Sequence, residues 1–157
     1  MSWLDWTFRE PHADIHRFVA QLTGRRVRCD WGAGMPGMTL NELLETAAKT
    51  WHGVRIGHPD WSDSSHTLAF SADHAQAKVS IYVILNAYWE ALEFELPQAA
   101  FGGGRWRRWI DTSVESPYDV VEWDSAELVA GEAYAASPHS LVILFSQGDA
   151  VSALSRP

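Results

Sequence analysis

KVSIYVILNAYWEALEFEL, residues 78–96, holds two strands and the turn between them. Val79, Ile81, Val83 and Leu85 alternate with Ser80, Tyr82 and Ile84, so nearly every position is apolar or aromatic. That is the mark of a strand buried on both faces and central in its sheet. Leu92, Phe94 and Leu96 alternate strictly with Glu93 and Glu95, which predicts a strand with one buried and one wet face.

Outward from this stretch, short apolar or alternating runs recur between turn signals. They are Lys49–Val54, His66–Ser71, Lys78–Asn86, Leu92–Leu96, Arg105–Asp111, Glu132–Ala136 and Ser140–Phe145. About seven strands at this spacing predict a mainly β chain folded as an antiparallel β-sandwich. Leu141–Phe145 is continuously apolar and makes a second central strand. One or two helices precede the sandwich. Ile15, Phe18, Val19 and Leu22 fall at helical spacing between Pro11 and Thr23, with Gly24 as the stop. Thr39 and Glu42 form a capping-box pattern ahead of a second, short helix ending near Lys49. The domain reading is a helical segment over 1–48, a sandwich over 49–147 and a frayed tail over 148–157.

Composition narrows the function. The 157 residues are 46% hydrophobic and 20% charged, enough for one packed core. A formal charge of −8 disfavours nucleic acid as a partner. No run approaches the ~20 apolar residues of a membrane span. The start, MSWLDWTFREP, lacks the basic and apolar regions of a signal peptide, and the single Cys29 forms no internal disulfide; a cytoplasmic setting is expected. Nine tryptophans are the unusual feature. A core is the ordinary place for an indole, and sugar stacking is the functional alternative.

No complete catalytic or metal motif is present, and no cofactor is expected. His12 and His16 have the i, i+4 spacing of a zinc-binding helix but lack the glutamate of H-E-x-x-H and a third ligand. There is no nucleophile elbow, and Cys29 has no histidine near it in sequence. Gly102, Gly103 and Gly104 are not followed by the Lys-Ser/Thr of a phosphate loop and read as a flexible turn. The run RWRRW, residues 105–109, predicts a strand with Trp106, Arg108 and Ile110 on one face and Arg105, Arg107 and Trp109 on the other, its arginines paired with carboxylates. Asp60 with Asp63, or Glu93 with Glu95, are conceivable glycosidase pairs. A solvated strand face is the simpler reading of Glu93 and Glu95.

Several longer segments resemble, in order, the C-terminal region of isoamylase-type glycogen debranching enzymes of the α-amylase superfamily. They are WHGVRIGHPDWSDSSHTLAF at 51–70, YVILNAYWEALEFELP at 82–97, WRRWIDTSVESP at 106–117 and YAASPHSLVILFS at 134–146. The segment SWLDWTFREPHADIHRFVAQLTGRR, residues 2–26, resembles the part of those enzymes that contains the last helix of the catalytic (β/α)8 barrel. The resemblance implies that the chain begins where that barrel ends. The family's catalytic carboxylates lie on earlier barrel strands, so no catalytic residue carries over.

Three roles follow as expectations. The first is a non-catalytic, debranching-related module of α-glucan metabolism with a structural or docking role. The second is α-glucan binding through Trp61, Tyr88 and Trp89, with Asp60, Asn86 or Glu90 hydrogen-bonding hydroxyls; the bland alternative is that Trp61 and Trp89 plug the ends of the sandwich. The third is one part of a split or truncated debranching hydrolase. In it, the face formed by Ile15, Phe18, Val19 and Leu22 docks on a separate catalytic barrel; without a barrel, that face is left exposed unless it folds back on the sandwich or pairs with another copy.

Overall fold

The structure is a computed structural model that describes residues 6–28 and 45–148. The capping-box pattern at Thr39, Cys29 and the tail from residue 149 lie outside the described residues, as does most of the segment expected to form the second helix. Helix α1 spans Ala13–Arg28. Seven strands follow: β1 (Ala48–His52), β2 (Thr67–His74), β3 (Val79–Asn86), β4 (Leu92–Glu95), β5 (Arg107–Asp111), β6 (Ala133–Ala136) and β7 (Ser140–Gln147). No described helix is long and apolar enough to cross a membrane.

Five strands form an antiparallel sheet in the order β1-β2-β3-β7-β5, and β4 pairs with β6 in a second, two-stranded sheet. Each expected strand is present, and the two expected to be central, β3 and β7, are interior. The register defines the faces. On the inner face, Ala69, Tyr82, Ile84, Val142 and Leu144 pack against Phe94 and Ala136 of the small sheet, with Trp106 and Ala99 closing the side. On the outer face, Val79, Ile81, Val83 and Phe145 meet Trp109, Val120, Trp123 and Ala126, and Trp123 stacks on Phe145 at 4.0 Å. An antiparallel sheet usually leaves one face to water. Here both faces are apolar, and the outer one is covered at the β5 and β7 side by the 113–130 connection and by Phe18 and Leu22 of α1.

Helix α1 does not stop at Gly24. A lone glycine costs a helix about 1 kcal/mol, and the arginines after it are good helix formers. Arg17 ties the helix to the connection through Asp119 and, at 3.2 Å, through the Ser116 hydroxyl. Lys49, expected both to end the second helix and to begin the first strand, lies in β1.

The RWRRW strand carries a β-bulge between Arg108 and Ile110. The extra residue shifts the alternation, so Trp109 and Ile110 both join the outer cluster while Trp106 stays inside. The arginines clasp backbone carbonyls rather than the expected carboxylates: Arg107 donates to Ala126 O at 2.7 Å and Arg108 to Tyr118 O at 2.9 Å. The connection thereby runs along β5, with further bonds from Val121 to Trp109 and from Val129 to Trp106. That covering protects an edge that would otherwise offer free backbone groups.

The glycine turn is tight, not flexible. Gly102 has φ +69°, and a Cβ there would lie 2.3 Å from Ser146 Oγ and 2.7 Å from Gln147 O. Ser146 in turn donates to Phe101 O at 2.8 Å, which locks the turn onto β7.

Candidate functional site

Of the nine tryptophans, Trp106, Trp109 and Trp123 are core residues, whereas Trp6, Trp51, Trp61 and Trp89 are exposed. Trp61 is 64% and Trp89 61% exposed, so neither plugs an end of the sandwich. Among the described residues, three of these four exposed tryptophans, Trp51, Trp61 and Trp89, belong to the β1–β2 and β3–β4 end of the sheet.

Trp61 is carried by the loop between β1 and β2, which is tied to itself by short polar contacts. Asp60 Oδ1 accepts the Ser62 N–H at 3.0 Å, Ser65 N–H reaches Ser62 O at 3.0 Å, and Ser65 Oγ donates to Thr67 O at 3.2 Å. The bonds from Ser62 hold the Asp60 carboxyl below the usual carboxylate range. The root of the loop is fixed by His52. Its Nδ1 accepts the Gly57 N–H at 2.9 Å, and its Nε2 lies 3.1 Å from Ser71 Oγ. Trp51, beside His52 on β1, meets Trp61 edge to face at 5.6 Å and Phe70 at 5.3 Å.

The bend after β3 supplies the facing aromatics. Tyr88 and Trp89 stack at 3.9 Å, and Trp89 meets His66 edge to face at 6.2 Å. Ala87 N–H donates to His66 O at 2.8 Å, which links the two segments. Between them lies an open groove of about 380 Å³ lined by Asp60, Trp61, Ser62, Ser65, His66, Thr67, Leu68, Leu85 and Ala87. Leu68 and Leu85 are cross-strand partners on β2 and β3 and form its floor.

The structure thus brings Asp60 and Trp61 into one groove and places Tyr88 and Trp89 against His66 at its end. Asn86 is different. It is 1% exposed; its amide lies 3.0, 3.1 and 2.9 Å from the carbonyls of Glu90, Ala136 and Ser137, and its Oδ1 accepts the Tyr88 N–H at 3.1 Å. It holds the bend that presents the aromatics and has nothing left for a ligand. Glu90 is exposed. Sequence reasoning missed Ser65, His66 and Thr67, which follow Trp61 closely in the chain and line the groove, and Trp51, which the pairing of β1 with β2 sets beside Phe70 and against Trp61.

The expected docking face on α1 is divided. Phe18 and Leu22 pack on the outer cluster, while Ile15 and Val19 remain 58% and 50% exposed. His12 and His16 are exposed, and no group of three or more metal-capable side chains occurs among the described residues.

Serine chemistry at Ser71 is opposed by its own geometry. Because His52 Nδ1 accepts a backbone proton, the ring proton sits on Nε2 and points at Ser71 Oγ, the reverse of what a general base needs. Glu95, one of the conceivable glycosidase pair, accepts the Ile56 N–H at 2.9 Å. A larger cleft of about 740 Å³ lies beside Glu95, Gln98 and Trp106. The indole there is 3% exposed and donates to Pro97 O at 2.7 Å, so it offers no stacking face.

This arrangement, a five-stranded sheet and a two-stranded sheet with helix α1 packed on the outer cluster, is that of a mainly β module. The family described as Isoamylase 1-3, C-terminal, matches residues 50–147, and the chain belongs to it. It is 32% identical over 124 residues to Isoamylase 1, chloroplastic, of Oryza sativa subsp. japonica, covering 79% of this chain and 14% of that protein. Against the Arabidopsis thaliana protein of the same name the identity is 33% over 128 residues, 81% of this chain and 15% of the relative. Isoamylase SU1, chloroplastic, of Zea mays is 32% identical over 122 residues, 77% of this chain and 14% of the relative. The chain therefore spans about 14–15% of the length of these relatives.

Proposed function

We propose that this chain is a non-catalytic module of an α-glucan debranching system, and that it works by docking on a catalytic (β/α)8 barrel. The observation that carries this reading is the two-sided helix α1. Its Phe18 and Leu22 side is used by the module's own sandwich, and its Ile15 and Val19 side is apolar and exposed. Exposed apolar residues on a helix whose other side is already packed are what a second protein surface would cover. Membership in a C-terminal family that forms the end of much longer relatives supports the same reading.

The test mixes the purified chain with a plant isoamylase 1 lacking its own C-terminal domain and measures association by sedimentation velocity. A one-to-one complex that the double variant Ile15→Asp/Val19→Asp abolishes, with the variant's thermal midpoint unchanged, is expected. No complex, or a homodimer of this chain dispersed by the same variant, would refute the barrel reading. So would hydrolysis of branched glucan by the chain alone.

A further inference from the structure

We infer that the groove between Trp61 and His66 is a binding site for a short stretch of α-linked gluco-oligosaccharide, used to hold the module on glucan. The inference goes beyond docking, and only its choice of α-linked glucose rests on the debranching reading.

The ligand class follows from the lining. The groove joins an exposed indole, a leucine floor and a fringe of hydroxyls from Ser62, Ser65 and Thr67. Apolar faces with a few placed polar groups suit a ring that is apolar above and below and hydroxylated at its rim, as a pyranose is. No Lys or Arg lines it, the Asp60 carboxylate does, and the chain carries −8, so an anionic ligand is disfavoured. A quaternary ammonium needs ring faces that converge on one point. Here Trp51 and Trp61 meet edge to face, and Tyr88 and Trp89 stack on each other.

The site is also pre-organised. Trp61 is held by a loop whose turns are closed by Asp60, Ser62 and Ser65, and His66 is fixed to Ala87 through its carbonyl. Little ordering remains to be done on binding, which lowers its cost. The volume of about 380 Å³ is at the small end of the ~300–1,000 Å³ range of ligand sites. It has room for a few sugar units of a longer chain and leaves the groove open at its mouth for the rest.

The experiment is a titration of the full chain with maltoheptaose, followed by calorimetry and tryptophan fluorescence, with sorbitol and cellohexaose as comparators. Saturable binding of maltoheptaose with a change in indole emission, and none with sorbitol, is expected. Trp61→Ala is expected to weaken binding on the order of tenfold by removing the stacking face. Ala87→Trp fills the groove while leaving Trp61, the leucine floor and the hydroxyl fringe unchanged, and is expected to abolish binding. Circular dichroism and thermal midpoints establish that both variants fold. Absence of maltoheptaose binding would overturn the inference. So would binding unchanged in both folded variants, or a response to cellohexaose as large as that to maltoheptaose. None of these outcomes bears on the complex with a barrel, so the two readings fail separately.

Discussion

Replacing Asn86 by alanine tests whether the bend that carries Tyr88 and Trp89 is held as described. Four contacts are lost at once: the amide's approaches to the carbonyls of Glu90, Ala136 and Ser137, and acceptance of the Tyr88 N–H. The site is 1% exposed, so water does not readily replace the side chain. A buried polar group left without its partner costs about 1–3 kcal/mol, and the carbonyls retain a second lone pair, so the sum is set near the low end, about 3 kcal/mol in all. Against a total stability of ~5–15 kcal/mol this is a large loss. At ~2–4 °C per kcal/mol it lowers the thermal midpoint by about 6–12 °C, and urea denaturation gives the free energy directly. Asn86→Asp keeps an acceptor for Tyr88 but aims a carboxylate at three carbonyl oxygens, and is expected to be worse than alanine. An Asn86→Ala protein within about 1 kcal/mol of the parent would refute the reasoning. An Asn86→Asp protein more stable than Asn86→Ala would do the same.

Gly102→Ala drives a Cβ into Ser146 and Gln147 at positive φ and is expected to cost about 2–4 kcal/mol. Gly103→Ala, with φ +68° but open space around it, is expected to cost about 1 kcal/mol; paired urea melts read the difference. Burial holds the His52 imidazole below its ordinary value, so the folded protein resists a proton that the unfolded chain accepts. The contribution of His52 is therefore complete above a pH of about 6.5 and is lost as the pH falls below that toward the folded value. His52→Gln is expected to reduce stability at neutral pH and flatten this acid-side slope, measured as the difference between the two proteins' urea midpoints from pH 7.5 to 5. Phe18→Asp places a charge against the Trp109–Trp123 cluster and is expected to release α1 or cost about 2–3 kcal/mol, whereas Ile15→Asp is neutral within about 0.5 kcal/mol. Proteolysis of the helix in the two variants distinguishes them.

The strands were legible because their signal is local. Alternation at Leu92–Glu95 and the continuous runs of β3 and β7 state both the element and its place in the sheet. The bulge at Trp109 was not legible, since nothing in RWRRW marks which residue is the extra one until β7 sets the register. Helix α1 ran past Gly24 because a single breaker is a weak signal against a row of good helix formers. At the candidate site, Trp61 and Trp89 were visible as aromatics flanked by turn residues. Asn86 was legible as important but not as structural, because its partners at Ala136 and Ser137 lie some 50 residues away. Trp51 was silent for the same reason, since only the pairing of β1 with β2 sets it beside Phe70, while His66 was read only as the start of a strand.

The sheet order β1-β2-β3-β7-β5 has a consequence for synthesis on the ribosome. The slot between β3 and β5 is filled by β7, the last of the described strands to emerge. From the completion of β3 at Asn86 to that of β7 at Gln147, 61 residues must be made. At ~5–20 residues per second this takes roughly 3–12 s. Throughout that interval β3 presents an unpaired backbone edge and apolar side chains on both faces, the combination most apt to pair with another nascent chain. Yield is therefore expected to depend on translation speed after Asn86 and on chaperone supply.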